Sequence, residues 1–241
     1  MANAVVHFEA TAKDGNKLRD FYSKAFGWQF NVMPEMDYGL VDNGGRGING
    51  GVGSSPDGNS ALFYVEVADP QGTLDQAEKL GGKTVMPVME IPNVVTLASF
   101  DDPEGNTIGL VKNDPNQSPP PSTNKPADMP VTWFEIVGKN GEKLREFYGK
   151  LFGWQYNLPP DMDYGMIDAG DHGIGGGVGG SGDGPPHAIW YAEVSDPQKA
   201  MDKIVAAGGK VSMPVTDGGM VTFGHFTDPA GNLVGIFKTN Q

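Results

Sequence analysis

Four short apolar runs of this chain place a carboxylate two residues after a ring: His7 and Glu9, Tyr64 and Glu66, Trp133 and Glu135, Tyr191 and Glu193. Residues i and i+2 of an extended strand share a face, so each run would set a ring beside a carboxylate. A carboxylate on a partly dry sheet face costs free energy unless it is paired or protonated, and burial raises its pKa toward the range useful for proton transfer. Glu9, Glu66, Glu135 and Glu193 are therefore the candidate general bases. His7, Tyr64, Trp133 and Tyr191 are candidate ligand contacts, together with Tyr38 and Tyr164, which stand in repeated MDYG segments and could offer a hydroxyl or a stacking face. The ordinary alternatives are carboxylates paired with Lys or Arg or lining a solvated rim, and half-buried structural tyrosines.

The other chemistry-bearing residues point to less. His172, His187 and His225 belong to the second half of the chain, and His187 and His225 fall opposite Ser60 and Ser99 of the first, so they could form only a site peculiar to that half. Cysteine is absent, which removes disulfides, thiolate nucleophiles and zinc-thiolate sites together. Gly45-x-Gly47-x-x-Gly50 and Gly175-x-Gly177-x-x-Gly180 satisfy GxGxxG, but neither opens a helix after a strand as a dinucleotide fingerprint must, and both read as glycine-rich strand and loop. No G-x-S-x-G, P-loop or H-E-x-x-H occurs.

The elements that must position these residues occur twice. A shift of 126 residues lays Val5–Gly53 over Val131–Gly179 without a gap, with 29 of 49 positions identical. KLRDFYSKAFGWQFN returns as KLREFYGKLFGWQYN, and FDDPEGNTIGLVK as FTDPAGNLVGIFK. Between the repeats, residues 113–130 carry six prolines and read as a linker, leaving domains at 1–112 and 131–241. Within the first repeat, Val5–Thr11 is β-prone, and Leu18, Phe21, Tyr22, Ala25 and Phe26 follow the spacing of an amphipathic helix that Gly27 ends. Trp28–Val32, Tyr38–Asp42 and Gly47–Val52 read as three strands. A second such unit follows: strand Leu62–Val67, a helix capped by Asp69-Pro70 and stopped at Gly81-Gly82, then strands Val85–Ile91, Val94–Phe100 and Thr107–Val111. Four βαβββ modules result, an α+β chain. Trp28 and Trp154 are expected in the core, and Arg19 and Arg145 on the solvated helix face.

A net charge of −13 repels phosphate backbones and anionic membrane faces. No apolar run approaches the roughly 18 residues of a membrane span, and the start of the chain lacks a signal-peptide pattern. A cytoplasmic protein with a small-molecule ligand, no nucleic-acid or membrane partner, and a monomeric or homodimeric state is expected.

The module count, the helix ending in FY-x-x-x-FGW and the closing DPEGN or DPAGN turn together resemble the vicinal oxygen chelate superfamily, which includes glyoxalase I, extradiol dioxygenases and bleomycin-resistance proteins. The resemblance implies two glyoxalase/bleomycin-resistance-like domains whose curved mixed sheets surround cavities lined by the faces described above. The resemblance leaves two pairings open: first module with second and third with fourth, or first with fourth and second with third. Enzymes of the superfamily hold a divalent metal with His, Gln or Glu from the first, fourth, fifth and eighth strands. Carried over, these positions fall on His7 and Trp133, near Asn49 or Gly51 and Gly175 or Gly177, near Leu62 and Ile189, and on Gly109 and Gly235. One imidazole cannot replace the three or four donors a tightly held metal needs. The resemblance therefore implies no cofactor, with a divalent metal disfavoured, and a protein that binds or transforms a small hydrophobic or aromatic compound. The alternative is a metal-dependent glyoxalase-like lyase or dioxygenase.

Overall fold

The computed structural model of the chain describes residues 2–92, 94–113, 127–160, 162–168 and 172–240. Most of the proline-rich stretch expected as a linker lies outside them. The first module comprises β1 (Val5–Ala12), α1 (Gly15–Phe26), β2 (Phe30–Met33), β3 (Tyr38–Val41) and β4 (Asn49–Ser54). The second holds β5 (Ser60–Glu66), α2 (Pro70–Lys79), β6 (Lys83–Ile91), β7 (Val95–Asp101) and β8 (Thr107–Asn113). The third has β9 (Val131–Gly138), α3 (Gly141–Phe152), β10 (Tyr164–Ile167) and β11 (Gly175–Gly180). The fourth is β12 (His187–Glu193), α4 (Pro197–Ala206), β13 (Lys210–Asp217), β14 (Val221–Thr227) and β15 (Leu233–Thr239).

The helices begin and end where their caps dictate. Asp14 and Asn140 accept the backbone N–H of Lys17 and Lys143, while Gly27 and Gly153, both at φ 72°, close α1 and α3 in the left-handed conformation that favours glycine. Asp69 and Asp196 cap α2 and α4, each followed by proline in the first turn.

Three expectations shift. Trp28 is 2% exposed beneath α1, and β2 starts only at Phe30. Gly44, Gly45 and Gly47 all have positive φ, so the chain turns there and β4 begins at Asn49. Among the described residues the third module has no counterpart of β2, only a bridge from Asn157 to Met166. Pro159 stands there where Met33 pairs with Tyr38 in the first module, and proline cannot donate to a ladder.

The strands form an eight-stranded sheet from β1–β8 and a seven-stranded sheet from β9–β15. Each module keeps one plan, with its first strand parallel to its last where register is given, as in β1 with β4 and β12 with β15, and the remaining pairs antiparallel. Burial alternates along β1: Phe8 and Ala10 are 0% exposed, while His7 and Glu9 on the opposite face are half-buried. Among the described residues no helix is long and apolar enough to cross a membrane.

Two compact units cut across the repeats. One gathers Met1–Val6, Leu62–Pro121 and Phe134–Ala188, the other His7–Ala61, Ser122–Trp133 and Ile189–Gln241. The first module therefore shares a unit with the fourth, and the second with the third. Rings fill both cores: Phe8 on Trp190 at 4.9 Å and Tyr22 stacked on Trp28 at 5.2 Å in one, Phe63 on Phe134 at 4.9 Å and Phe134 on Trp154 at 5.3 Å in the other. Each unit also has a polar clasp. Tyr22 Oη donates to buried Asp228 at 3.1 Å, and Tyr148 Oη to buried Asp102 at 2.8 Å. These aspartates open the DPAGN and DPEGN turns, whose asparagines continue the clasp: Asn232 donates to the Thr11 carbonyl and Asn106 to that of Val137.

Candidate functional site

In the unit of the first and fourth modules, β3, β4 and β1 lie side by side, and on β4 Gly51 faces Glu9 of β1 and Leu40 of β3. A Cβ added at Gly51 would collide with the ring and hydroxyl of Tyr38, so the missing side chain is what lets Tyr38 lean across β4. Its hydroxyl then donates to Glu9 Oε1 at 3.0 Å and lies 3.3 Å from His7 Nε2. Burial lowers the His7 pKa from 6.5 to about 4, so the imidazole is neutral at pH 7. With Tyr38 donating to the carboxylate, the phenolic oxygen accepts from the Nε2–H of His7. A polarised chain runs from imidazole through phenol to carboxylate.

Arg19 fixes the turn that delivers Tyr38. Expected on a solvated face, it is instead 5% exposed, donating to the Asp37 carbonyl at 2.9 Å, the Val52 carbonyl at 3.2 Å and the Asp37 carboxylate at 2.5 Å. The reason is local: Asp37 takes a left-handed conformation at φ 45° directly before Tyr38, and its backbone and side chain both turn toward the guanidinium. Arg145 repeats the clamp on Asp163, at 2.7 Å, before Tyr164. The visible signal was the joint recurrence of KLR and MDYG.

The same unit repeats the glycine device in the fourth module. Gly235 on β15 is paired with Tyr191 of β12 and with His225 of β14. A Cβ there would strike the Tyr191 ring, and Tyr191 Oη reaches His225 Nε2 at 2.7 Å, a contact buried on both sides. Trp133 is half-buried on β9, and Glu193 lies further out, 3.9 Å from Arg46 and 3.5 Å from the Thr132 hydroxyl. At 40% side-chain exposure Glu193 is a rim carboxylate with a basic neighbour.

In the unit of the second and third modules, Tyr64 lies over Gly109, its partner on β8, and Tyr164 lies over Gly177 of β11. Glu66 accepts from Asn113 at 2.7 Å and approaches His172 at 3.6 Å, another rim position. Glu135 is more enclosed and stands 3.6 Å from His187 Nε2, while His187 Nδ1 lies 3.1 Å from the Pro185 carbonyl. Burial opposes a charge on His187, but its contacts with Glu135 and Pro185 outweigh burial and its pKa is raised. Glu9 and Glu135, one pair of repeated carboxylates, thus have different neighbours: phenol and neutral imidazole for the first, an imidazole that favours its proton for the second. A groove of about 640 Å³ beside α3, lined by Lys139, Arg145, Tyr156 and Asp163 among others, shares no residue with these sheet faces.

Comparison with known proteins gives one answer from sequence and from fold. The family model of the Glyoxalase/Bleomycin resistance protein/Dioxygenase superfamily matches residues 4–110 and again 131–236. CFP32 of Mycobacterium bovis is 32% identical over 120 residues, 45% of this chain and 45% of that protein, so the match spans less than half of that relative. Homoprotocatechuate 2,3-dioxygenase from Arthrobacter globiformis superposes with a TM-score of 0.66 at 16% identity, covering 100% of this chain and 80% of that one. The Mn(II)-bound glyoxalase from Novosphingobium aromaticivorans gives 0.64 at 13% identity, covering 98% and 82%. At such identities the structural likeness is one of fold.

Proposed function

Because this chain belongs to the Glyoxalase/Bleomycin resistance protein/Dioxygenase superfamily, we propose that it takes up a small hydrophobic or aromatic compound on its tyrosine-bearing sheet faces, without the divalent metal of the superfamily's enzymes. One observation carries the reading. At the eighth-strand positions where those enzymes place metal ligands stand Gly109 and Gly235, under the rings of Tyr64 and Tyr191, and at the fourth-strand positions stand Asn49 or Gly51 and Gly175 or Gly177, of which Gly51 and Gly177 lie under Tyr38 and Tyr164 while Asn49 already accepts from the backbone N–H of Asn43. Glycine offers no donor, and the ring fills the space a donor side chain would take. The fifth-strand positions, Leu62 and Ile189, are hydrocarbon, and Trp133 presents an indole without a lone pair. His7 alone remains, and it lies against Tyr38. The residues present do not fit a metal that needs three or four donors.

What they offer instead is aromatic surface with few polar groups, the usual composition of a small-molecule site. Tyr38 holds Glu9 as an oriented carboxylate, and Glu135 with His187 forms a second polar pair; either carboxylate can accept a ligand proton. The charge of −13 favours neutral or cationic ligands. The proposal extends to a cytoplasmic protein, monomeric or homodimeric, with no nucleic-acid or membrane partner. Thermal unfolding against a panel of uncharged aromatic compounds, with and without chelator, tests it: a ligand at 100 times its Kd should add about 2.7 kcal/mol, equally in both series. Protection seen only after adding a divalent metal would instead support the glyoxalase-like or dioxygenase reading.

A further inference from the structure

A strand at the edge of a sheet turns every second N–H and C=O outward, ready to pair with another strand, and proteins close such edges with proline, bulges or charge. Among the described residues four strands stand at sheet edges, β2 and β6 in one sheet, β10 and β13 in the other. Three of them are closed. β6 and β13 each carry a proline, Pro87 and Pro214, at the second of two register shifts, so neither offers a continuous row of donors, although Val85 and Met89 of β6 are exposed. β10 gives the outward N–H and C=O of Met166 to Asn157, at 2.9 Å each, and Pro159 stops the pairing there. β2 is different. Its register against β3 is unbroken from Phe30 with Val41 to Met33 with Tyr38, it holds no proline, and no charged residue occurs from Gly27 to Pro34. Asn31 and Val32 are exposed, and Val32 and Met36, the latter just beyond the strand, are each 45% exposed. Val32 stands opposite Gly39, which has no side chain to cover it.

We infer that β2 is the docking edge for a second copy of this chain, the two β2 strands pairing antiparallel about a two-fold axis so that the sheet of each copy continues into the other. A second copy fits this edge for two reasons. Each chain carries a net charge of −13, so two copies approach closely only along an uncharged strip, and Gly27–Pro34 is such a strip. An isologous pair also satisfies both edges at once and closes, leaving no further edge of this kind exposed. A pairing four residues long buries less than the ~1,200 Å² at which standard interfaces begin, so the dimer is weak and depends on concentration. The second repeat supplies an internal control. Leu158 takes the position of Val32 and is 55% exposed, but it lies between Asn157 and Pro159, where the edge is closed. The inference does not depend on the ligand reading above.

The test is sedimentation velocity of the whole chain from roughly 10 μM to roughly 1 mM, in low and in moderate salt, with amide hydrogen exchange followed at both ends of the range. A monomer–dimer equilibrium is expected, and salt should strengthen it, because screening relieves the repulsion between like-charged copies. Exchange at Phe30–Met33 should slow as dimer forms. V32K sets like charges against each other across the two-fold axis and should weaken dimerisation at least about tenfold, while L158K should leave it unchanged. Both positions are exposed, so both variants should unfold at the temperature of the natural protein. Monomer at every concentration would overturn the inference and leave β2 to a strand of another protein. A dimer that salt dissociates, one that V32K leaves intact, or one that L158K disrupts as strongly as V32K would overturn it equally.

Discussion

Gly51 and Tyr38 act as one device: the glycine is needed because the tyrosine crosses it. Restoring a Cβ in G51A should force Tyr38 off Glu9 and cost about 1–3 kcal/mol, measured by urea unfolding. In a Y38A background the same substitution should cost far less, because the colliding ring is gone; equal costs in both backgrounds would refute the coupling. His7 and His187 titrate in opposite senses. His7 has a folded pKa of about 4 against an ordinary 6.5, so the unfolded chain binds the proton more tightly and stability falls as pH drops from 6.5 toward 4. That loss, on the order of 2 kcal/mol, should shrink in H7Q. His187 has a raised pKa, so its contribution is fully present below 6.5 and is lost as pH rises through its folded value. The stability gap between the natural protein and H187Q should therefore be widest in mild acid and close in alkali, and a gap that widens with pH would contradict the Glu135 assignment.

At the scale of elements, the helices and their caps were legible because their signals are local: an Asp or Asn before the apolar periodicity and a Gly after it. Strand edges shifted where glycine and proline decide backbone conformation one residue at a time, as at Gly47 and Pro159. The aromatic and acidic alternation of β1, β5, β9 and β12 predicts a ring and a carboxylate on one face of each strand. It could not show that tyrosines from β3 or β12 would lean over a glycine of the neighbouring strand, since that depends on the register between paired strands. The clasp of α1 and α3 was hidden for the same reason: DPEGN and DPAGN read as turns, and nothing local links Asp228 to Tyr22. Y22F leaves buried Asp228 with one donor fewer and should cost about 1.5–3 kcal/mol in chemical denaturation, as should Y148F at Asp102. A change near zero in both would show that the contacts are incidental.

For the whole molecule, duplication was plain in the sequence, but the assembly of its parts was not. Each compact unit takes one module from each repeat, which no periodicity along the chain records. Cutting the chain at a protease site placed between residues 113 and 127 should therefore leave the two halves together in size-exclusion chromatography without denaturant, and halves that separate freely would contradict the division into units. The divergence of the repeats, His7 against Trp133 and Ser99 against His225, gives one molecule two faces of different chemistry on one superfamily scaffold. The central claim is that tyrosines over glycines have replaced the superfamily's metal ligands, and elemental analysis tests it most directly. Protein purified without chelator, then supplemented with zinc, nickel, manganese and ferrous iron and desalted, should carry far less than one metal per chain. About one metal per chain, lost in H7Q, would contradict the account and return the protein to the metal-dependent lyases and dioxygenases.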